Sequence, residues 1–282
     1  MTDRATLERT DHPVSDLERL GQADLHIHTL ASDGTAGVEE ILEHVEHATA
    51  LDVIAITDHE RIDAAVAARE LARRRGLGVE VVVGEEVTTL GGHLLALFIE
   101  APIRPLRSLR WTIAAVHEQG GLAVPAHPLV PVPLCATGRA LRRLLSDPDL
   151  TVHPDALEVL NPTTAGRPWH PRVVDFAARH GLPGLGNSDA HHPEQIGQAR
   201  TTFPGCTAAD LRAAIEAGTT GWQGDFYPPL AQVAMLGRQV RKYTRDVRDE
   251  VTGRLRRERT GRDLGYPGGR LRPPRFDPEA GR

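Results

Sequence analysis

The fold is decided by residues 23–57, which read ADLHIHTLASDGTAGVEEILEHVEHATALDVIAIT. An apolar run of strand length, Ala23–His28, precedes a longer amphipathic segment, Val38–Ala50, and then a second apolar run, Val53–Thr57. Short apolar runs that alternate with helix-length amphipathic stretches are typical of βαβ units. The alternation continues to Ala217 in about seven strand–helix steps, which favours an α/β barrel.

Further elements follow with the same alternation. Strands are predicted at Val79–Val83, His93–Ile99, Leu122–Ala126, Ala156–Leu160 and Gly184–Gly186, and helices at Ile62–Arg75, Leu109–Gln119, Arg139–Leu145, Arg172–His180 and Ala208–Ala217. Only the residues from Thr88 to Gly92 separate the third and fourth strands, whereas a parallel crossover needs about a dozen residues or more. We therefore expect these two strands to form a hairpin or a locally irregular edge.

The chain divides into three predicted regions. Residues 21–225 contain no internal repeat and no linker, so they are expected to form one barrel domain after a leader at residues 1–20. Tyr227, Pro228 and Pro229 interrupt the pattern, and an arginine-rich stretch then runs to about Arg259. Residues 226–282 are therefore predicted to be a basic helical extension that ends in a disordered tail.

Composition excludes several classes of protein. The 282 residues are 40% hydrophobic and 25% charged, and no apolar run approaches the ~20 residues that a transmembrane helix needs. The polar start lacks the pattern of a secretory signal, so we expect a soluble, cytoplasmic protein that does not contact membranes. The two cysteines, Cys135 and Cys206, are far apart and indicate neither a disulfide framework nor a thiolate zinc site.

Side chains that bind metals recur at the ends of the predicted strands. His26 and His28 are two residues apart on a strand and so project from the same face, and Asp33 with Gly34 follows in a turn that can bring the carboxylate back. The later strands carry Asp58 and His59, Glu85 and Glu86, His93, His127, and Asp189 with His191. Glu85 and Glu86 compete for one role, because neighbours on a strand face opposite sides.

This repetition indicates a metal centre. Barrel enzymes gather catalytic groups at the carboxyl ends of their strands. Several titratable groups brought together there would cost several kcal/mol in repulsion and lost hydration unless cations neutralised them. Asp58, beside His59, is a candidate for orienting that imidazole, with a surface salt bridge as the alternative.

The motifs resemble those of the polymerase and histidinol phosphatase (PHP) family of metal-dependent phosphoesterases. The resemblance runs from about Ala23 to Phe203 and is carried by His26-x-His28, Ser32-Asp33-Gly34, Thr57-Asp58-His59, Gly84-x-Glu86, His93, Ala126-His127-Pro128 and Ser188-Asp189-Ala190-His191. It implies a distorted (β/α)7 TIM-like barrel with two or three divalent ions, commonly zinc, manganese or iron. It also implies three ligand sets: His26, His28, Glu86 and Asp189 for the first ion; Glu86, His93 and His127 for the second; and Asp33, His59 and His191 for the third. Asp33 stands where some relatives have histidine.

The expected activity is hydrolysis of a phosphate ester, which is a phosphomonoester, a nucleotide or a short oligonucleotide. A metal-bound hydroxide would be the nucleophile, and the catalytic residues would be His26, His28, Glu86, Asp189 and His191. Arg167 and Arg200 are candidates to bind the substrate phosphate through two parallel hydrogen bonds. Chance placement is the alternative for both, since arginine supplies all but one of the 33 basic residues.

Two other functions are compatible with the sequence. Between Arg238 and Arg262 there are ten basic and four acidic residues, enough for weak contact with nucleic acid in a binding or assembly protein. A solvated helix that packs one side on the barrel would give the same pattern. A barrel that binds metal without turnover is the other possibility, and the complete ligand set argues against it.

Overall fold

Nine strands and six α-helices lie within residues 20–163 and 166–227, which are the residues that the computed structural model describes. The strands are β1 (Leu20–Ile27), β2 (Val53–Ile56), β3 (Glu80–Thr89), β4 (Gly92–Leu97), β5 (Leu122–Pro125), β6 (Leu157–Leu160), β7 (Gly184–Gly186), β8 (Ala199–Pro204) and β9 (Gly221–Gly224). The helices are α1 (Val38–Ala48), α2 (Asp63–Arg75), α3 (Leu109–Glu118), α4 (Gly138–Leu145), α5 (His170–His180) and α6 (Ala208–Ala217). Every strand and helix predicted between Ala23 and Ala217 is present, with ends that differ by a few residues except in β3.

The strands form one open, mixed sheet and one separate pair. Seven strands are ordered β5-β4-β3-β2-β1-β8-β9, and β6 pairs with β7 in parallel. The strands β1, β2 and β3 are parallel to one another, whereas β4, β5, β8 and β9 each join by antiparallel pairing. The predicted α/β class is confirmed, but the described sheet is open and mixed instead of a continuous ring of parallel strands.

The predicted hairpin between the third and fourth strands is confirmed. β3 and β4 pair antiparallel, with Thr88 opposite His93 and Glu86 opposite Leu95. This pairing extends β3 to Thr89, beyond the predicted end at Val83, because the backbone of residues 84–89 finds its hydrogen-bond partners in β4. His93 consequently lies at the same end of the sheet as the carboxyl end of β3.

Two strands were not predicted. β8 follows the last motif, and most of its residues alternate between buried and partly exposed. It pairs antiparallel with the edge of β1, where a barrel of parallel strands would have another parallel strand. β9 is the segment Gly221–Gly224, which has two glycines, is largely exposed and lacks β-branched residues. Its pairing with β8 therefore comes from tertiary context and not from local propensity.

The core lies on both faces of the sheet. Alternate residues of β2 enter two separate hydrophobic clusters: Ile54 and Ile56 pack with the helices, and Val53 and Ala55 pack in the other cluster. Burying an aliphatic side chain of this size stabilises the fold by about 1.5–3 kcal/mol. Because hydrophobic clusters pack against both faces of the sheet, the strands and their ends are held rigidly. The polar motifs lie at or just after those ends.

Glu85 is a buried carboxyl on β3 that costs stability. Its side chain is fully buried, one oxygen accepts a hydrogen bond from the Ile103 amide at 2.8 Å, and the other has no hydrogen-bond partner among the described residues. Burial raises the pKa of Glu85 to about 8. Unfolding near pH 7 therefore releases a proton, and the native state becomes less stable as the pH rises from about 4.5 toward 8.

We expect Glu85→Gln to stabilise the protein at high pH and to change little at low pH. The glutamine oxygen can still accept from Ile103, and the variant has no charge to bury, so the gain is on the order of 3 kcal/mol near pH 7 and close to zero near pH 4.5. Denaturant unfolding of both proteins at several pH values between 4.5 and 8.5 measures the difference. A difference that did not change with pH would contradict a buried, titrating Glu85.

The terminal regions of the prediction lie largely outside the described residues. Residues 1–19 and 228–282 contain nearly all of the predicted leader and basic extension, so the helical extension, its tail and its contact with nucleic acid remain predictions. The residues that are described belong to one compact unit. Among them, no helix combines the length and the apolar character that crossing a bilayer requires.

Candidate metal centre

The structure brings all nine predicted ligand side chains together. Two lie on strands β1 and β4, one on β3, and the others in the loops that follow β1, β2, β5 and β7. The nine are His26, His28, Asp33, His59, Glu86, His93, His127, Asp189 and His191. Three triads of them have donor atoms that all lie within 4.8 Å of one another: His26, His28 and Glu86; His28, Asp33 and His191; and His59, Glu86 and His93.

The first group is centred on Glu86 Oε2. His26 Nε2 lies 3.2 Å and His28 Nε2 lies 3.3 Å from this oxygen, and both nitrogens lie 3.4 Å from Asp189 Oδ1. Both histidines are almost completely buried. Two imidazole nitrogens and two carboxylate oxygens therefore face one point, a donor set suited to a divalent transition metal.

The second group uses the other oxygen of the same carboxylate. His93 Nδ1 is 2.8 Å and His127 Nε2 is 3.1 Å from Glu86 Oε1. The ambiguity between Glu85 and Glu86 is thereby resolved in the geometry: Glu86 faces the histidines, and Glu85 faces the opposite side of β3, toward Ile103.

The third group is more exposed. Asp33 Oδ2 lies 3.0 Å from His191 Nε2 and 3.8 Å from His59 Nε2, and Asp33 Oδ1 lies 3.4 Å from His28 Nδ1. His59 Nδ1 is also 3.4 Å from Glu86 Oε2. His59 thus also approaches the carboxylate that the first two groups share, although the family resemblance implied a place for it in the third set alone.

Unusual backbone conformations direct two of these side chains. His127 and Asp189 have positive φ values of 31° and 53°. Such values are uncommon for residues other than glycine, and Asp and His tolerate them better than most. The segment after β7 is then held beside β1 by hydrogen bonds from His28 N to Ala190 O and from Ala190 N to His26 O.

Gly34 allows the loop after β1 to fold back on its strand. A Cβ at this position would lie 2.2 Å from the carbonyl oxygen of His28, closer than any real contact. The close approach brings Asp33 beside His28. Asp58 supports the same loop by accepting hydrogen bonds from Thr29 N, Thr29 Oγ1 and Ser32 Oγ, so its described bonds are to this loop and not to the imidazole of His59.

Several donor atoms in the centre lack hydrogen bonds. His26 Nε2, His28 Nε2 and His93 Nδ1 are buried and have no hydrogen-bond partner in the described part of the chain. Buried polar atoms are nearly always satisfied, so a set of orphaned imidazole nitrogens that converge on carboxylates fits a cation held among them. The donor set of imidazoles and carboxylates likewise suits zinc, manganese or iron.

The charges of the centre are strongly coupled. Burial alone would lower the pKa of His28, but the carboxylates of Asp189 and Glu86 raise it to about 10. Burial would raise the pKa of Glu86 and of Asp189, and the neighbouring histidines hold both well below their usual range. Without metal, protonated histidines therefore neutralise the carboxylates, and a divalent cation would take over that role.

A cavity of about 340 Å³ opens beside the centre. The loop between β5 and α4 lines it together with six of the nine side chains, which are His59, Glu86, His93, His127, Asp189 and His191. Of these six, Glu86 and His93 are buried and the other four are partly exposed. Val132 and Leu134 of that loop are about half exposed, at 47% and 48%. The centre is thus accessible to a ligand with both polar and apolar parts.

The two predicted substrate-binding arginines do not line this cavity. Arg167 lies in the turn before α5, where its guanidinium is 5.8 Å from the ring centroid of Phe226. Arg200 lies on β8 and donates to Gly197 O at 3.4 Å and Gln223 Oε1 at 3.2 Å. The structure brings neither guanidinium to the centre, and their roles in substrate binding remain untested predictions.

Sequence analysis missed Glu158, the charged residue within the apolar strand β6. It is buried and accepts a hydrogen bond from His26 Nδ1 at 2.9 Å and from the His127 amide at 2.6 Å. A carboxylate inside an otherwise apolar strand was a signal that could have been noticed. Its partners, however, come from other elements and could not be identified from β6 itself.

Several known proteins are similar in sequence to parts of this chain. A family model described as PHP-associated matches residues 167–220. The uncharacterized protein MJ1587 of Methanocaldococcus jannaschii is 36% identical over 151 residues, which cover 50% of this chain and 81% of that protein. The 5'-3' exoribonuclease Rnm of Salmonella typhimurium is 42% identical over 67 residues, and this match covers 24% of the chain but only 22% of that enzyme.

The fold also has known counterparts. The crystal structure of a two-domain protein containing a predicted PHP-like metal-dependent phosphoesterase from Bacteroides vulgatus superposes with a TM-score of 0.62. The superposition covers 78% of this chain and 70% of that one, at 18% sequence identity. At this identity the likeness concerns the fold alone.

Proposed function

This chain belongs to the PHP family of metal-dependent phosphoesterases, and from this membership we propose that it hydrolyses phosphate esters at the centre described above. We propose that two or three divalent ions, zinc, manganese or iron, are held by three sets of ligands. His26, His28, Glu86 and Asp189 would hold the first; Glu86, His93 and His127 the second; and Asp33, His59 and His191 the third. His26, His28, Glu86, Asp189 and His191 would be the catalytic residues.

The observation that carries this proposal is the position of Glu86. Its Oε2 faces His26 and His28 at 3.2 and 3.3 Å, and its Oε1 faces His93 and His127 at 2.8 and 3.1 Å. The carboxylate is almost completely buried, with an exposed fraction of 2%. A single buried carboxylate whose two oxygens serve separate pairs of imidazoles is the arrangement that bridging two cations requires.

Divalent ions bound here would lower the pKa of a water molecule and neutralise the oxygens of a phosphate ester. The protein contributes rigidity, because His26 and Glu86 lie within strands that are buried on both faces. It also contributes an open side, since Asp33 and His191 stand at the rim with exposed fractions of 47% and 14%. A phosphate ester would approach from this side, through the adjoining cavity.

The substrate is proposed to be a phosphomonoester, a nucleotide or a short oligonucleotide. The similarity to an exoribonuclease supports a nucleotide, although the chain spans only about a fifth of that enzyme. The adjoining cavity of about 340 Å³ lies within the usual size range for small-ligand sites. We also propose that β6 and β7 complete a distorted (β/α)7 barrel, because Leu157 and Leu185 pack in the two core clusters of the main sheet.

A phosphate-release screen tests the proposed function. Purified protein is loaded separately with zinc, manganese or iron and incubated with mononucleotides, nucleoside bisphosphates, sugar phosphates and short oligonucleotides. We expect metal-dependent hydrolysis in at least one of these classes, and product analysis distinguishes release of phosphate from cleavage of a diester.

His28→Ala provides the control for this screen. The substitution removes an imidazole that faces both Glu86 and Asp189, so we expect it to lower the metal content and to abolish hydrolysis. Hydrolysis by His28→Ala at the wild-type rate would place the activity elsewhere. Absence of hydrolysis in wild-type protein that had taken up metal would contradict the proposed function.

A further inference from the structure

The carboxylate of Glu158 is surrounded by four N–H groups. Oε1 accepts from His26 Nδ1 at 2.9 Å and from Asn187 Nδ2 at 3.0 Å. Oε2 accepts from the backbone amide of His127 at 2.6 Å and from Asn161 Nδ2 at 3.1 Å. Glu158 has an exposed fraction of 1%, so water does not substitute for these bonds.

Three of the four donors have a fixed polarity. The backbone amide of His127 can only donate. The side-chain oxygen of Asn187 accepts from the Leu25 amide at 3.2 Å, and that of Asn161 accepts from the Thr163 amide at 3.1 Å. Each asparagine must therefore turn its NH₂ group toward Glu158, because a flipped amide would place NH₂ against a backbone N–H.

The fourth donor, His26, is the only one with a choice of tautomer. An ionised carboxylate accepts hydrogen bonds and donates none, so it requires a proton on Nδ1 of His26. Once a metal ion displaced the second proton of the imidazolium, Nε2 would offer its lone pair to that ion, at a point that Glu86 Oε2 and Asp189 Oδ1, 3.2 and 3.4 Å from Nε2, also face. The Nδ1–H form is the tautomer that a metal ligand needs when it binds through Nε2.

We propose that Glu158 is a positioning residue that fixes the Nδ1–H tautomer and the ring orientation of His26, so that Nε2 is presented to the first metal ion. The two asparagines and the His127 amide hold the carboxylate in place, and the carboxylate in turn holds the imidazole. The inference rests on the proposed function only in taking this position to bind a divalent ion. Partners of this kind typically contribute 10–100-fold to metal affinity.

Glu158→Gln distinguishes this role from simple packing. A glutamine has one oxygen and one NH₂ group, so two of the four donors would face another donor. The Oε2 position faces two fixed donors, His127 N and Asn161, whereas the Oε1 position faces one fixed donor, Asn187, and the adaptable His26. The amide oxygen should therefore take the Oε2 position. The NH₂ group would then face His26, which can accept only by moving its proton to Nε2, where that proton blocks metal binding.

The experiment measures zinc affinity by competition with a chelator, using the full chain. We expect Glu158→Gln to weaken zinc binding about 10–100-fold. Glu85→Gln is the matched control, because it makes the same chemical change at a buried position on another strand, β3, and its zinc affinity should equal that of the wild type. An unchanged zinc affinity in folded Glu158→Gln would overturn the proposal.

A double-mutant cycle with His26→Ala tests whether the effect passes through His26. If Glu158 acts by orienting this imidazole, adding Glu158→Gln to His26→Ala should change zinc affinity by no more than about twofold, the tolerance within which independent effects add. If instead the full loss is repeated in the His26→Ala background, Glu158 supports the fold and not the ligand, and the proposal is wrong.

Glu158→Asp covers the case in which Glu158→Gln does not fold. It keeps an acceptor-only group and shortens the side chain by one methylene, so zinc affinity should fall by less than in the glutamine variant, about 3–10-fold, and Glu85→Asp is its control. Wild-type affinity in Glu158→Asp, with Glu158→Gln unfolded, would also overturn the proposal.

Phosphate release by the wild type is measured separately. If it is absent while the variants show the expected zinc affinities, the proposed activity is refuted and the role of Glu158 is not.

Discussion

Replacement of Glu86 by glutamine should abolish hydrolysis and remove most of the bound metal. The variant keeps the size of the side chain but loses the charge and one of the two oxygens that face the histidines. Both of the first two proposed ion positions would lose a ligand at once. We expect kcat/KM to fall by about 10³-fold or more, which corresponds to at least ~4 kcal/mol of transition-state stabilisation.

The neighbouring residue supplies the control for Glu86→Gln. Glu85→Gln changes the preceding residue of the same strand, whose side chain bonds to the Ile103 amide on the other face. It should retain full metal content and full activity. Metal analysis and steady-state kinetics on the two variants test this difference. Equal activities would show that Glu86 is not part of the catalytic metal centre.

Replacement of Asp189 by asparagine should have the next largest effect. Its Oδ1 lies 3.4 Å from the Nε2 atoms of both His26 and His28, and asparagine tolerates the positive φ of 53° at this position. The variant therefore removes the charge without straining the backbone. We expect a loss of about 10²–10³-fold in kcat/KM, or roughly 3–4 kcal/mol, together with loss of the most tightly bound ion.

Asp33→Asn is the comparison for Asp189→Asn. Asp33 is 47% exposed, and among the proposed ligands of the first two ions it contacts only His28, at Nδ1, the nitrogen that does not face Glu86 and Asp189. Its substitution should therefore leave the first two proposed positions loaded and cost about tenfold, near 1.4 kcal/mol. Titration of metal content against activity for both variants measures the contrast. A larger loss from Asp33→Asn than from Asp189→Asn would contradict the assignment of the buried group as the main site.

The candidate ligands could be predicted because each has a local signal. His26 and His28 share a face by the two-residue period of a strand, and His59, His127 and Asp189 follow apolar runs that can be recognised as buried strands. The hairpin was predictable from the length of its connection. Each of these signals depends only on a short stretch of sequence, and the corresponding local structure is present in the folded chain.

Other features depend on contacts between distant segments. The open sheet arises because β8 pairs antiparallel with β1, and nothing in the sequence of either strand identifies the other as its partner. Glu158 is explained only by His26, His127 and two asparagines from separate loops. The left-handed conformation of Asp189 is likewise imposed by its surroundings, since aspartate has no strong preference for it.

Anomalous diffraction from crystals grown with manganese or zinc tests the central claim most directly. Data collected on both sides of the metal absorption edge should give at least two peaks, one among His26, His28, Glu86 and Asp189 and one among Glu86, His93 and His127. Crystals that contain metal at other positions only, or that show no peak at these side chains, would contradict the account.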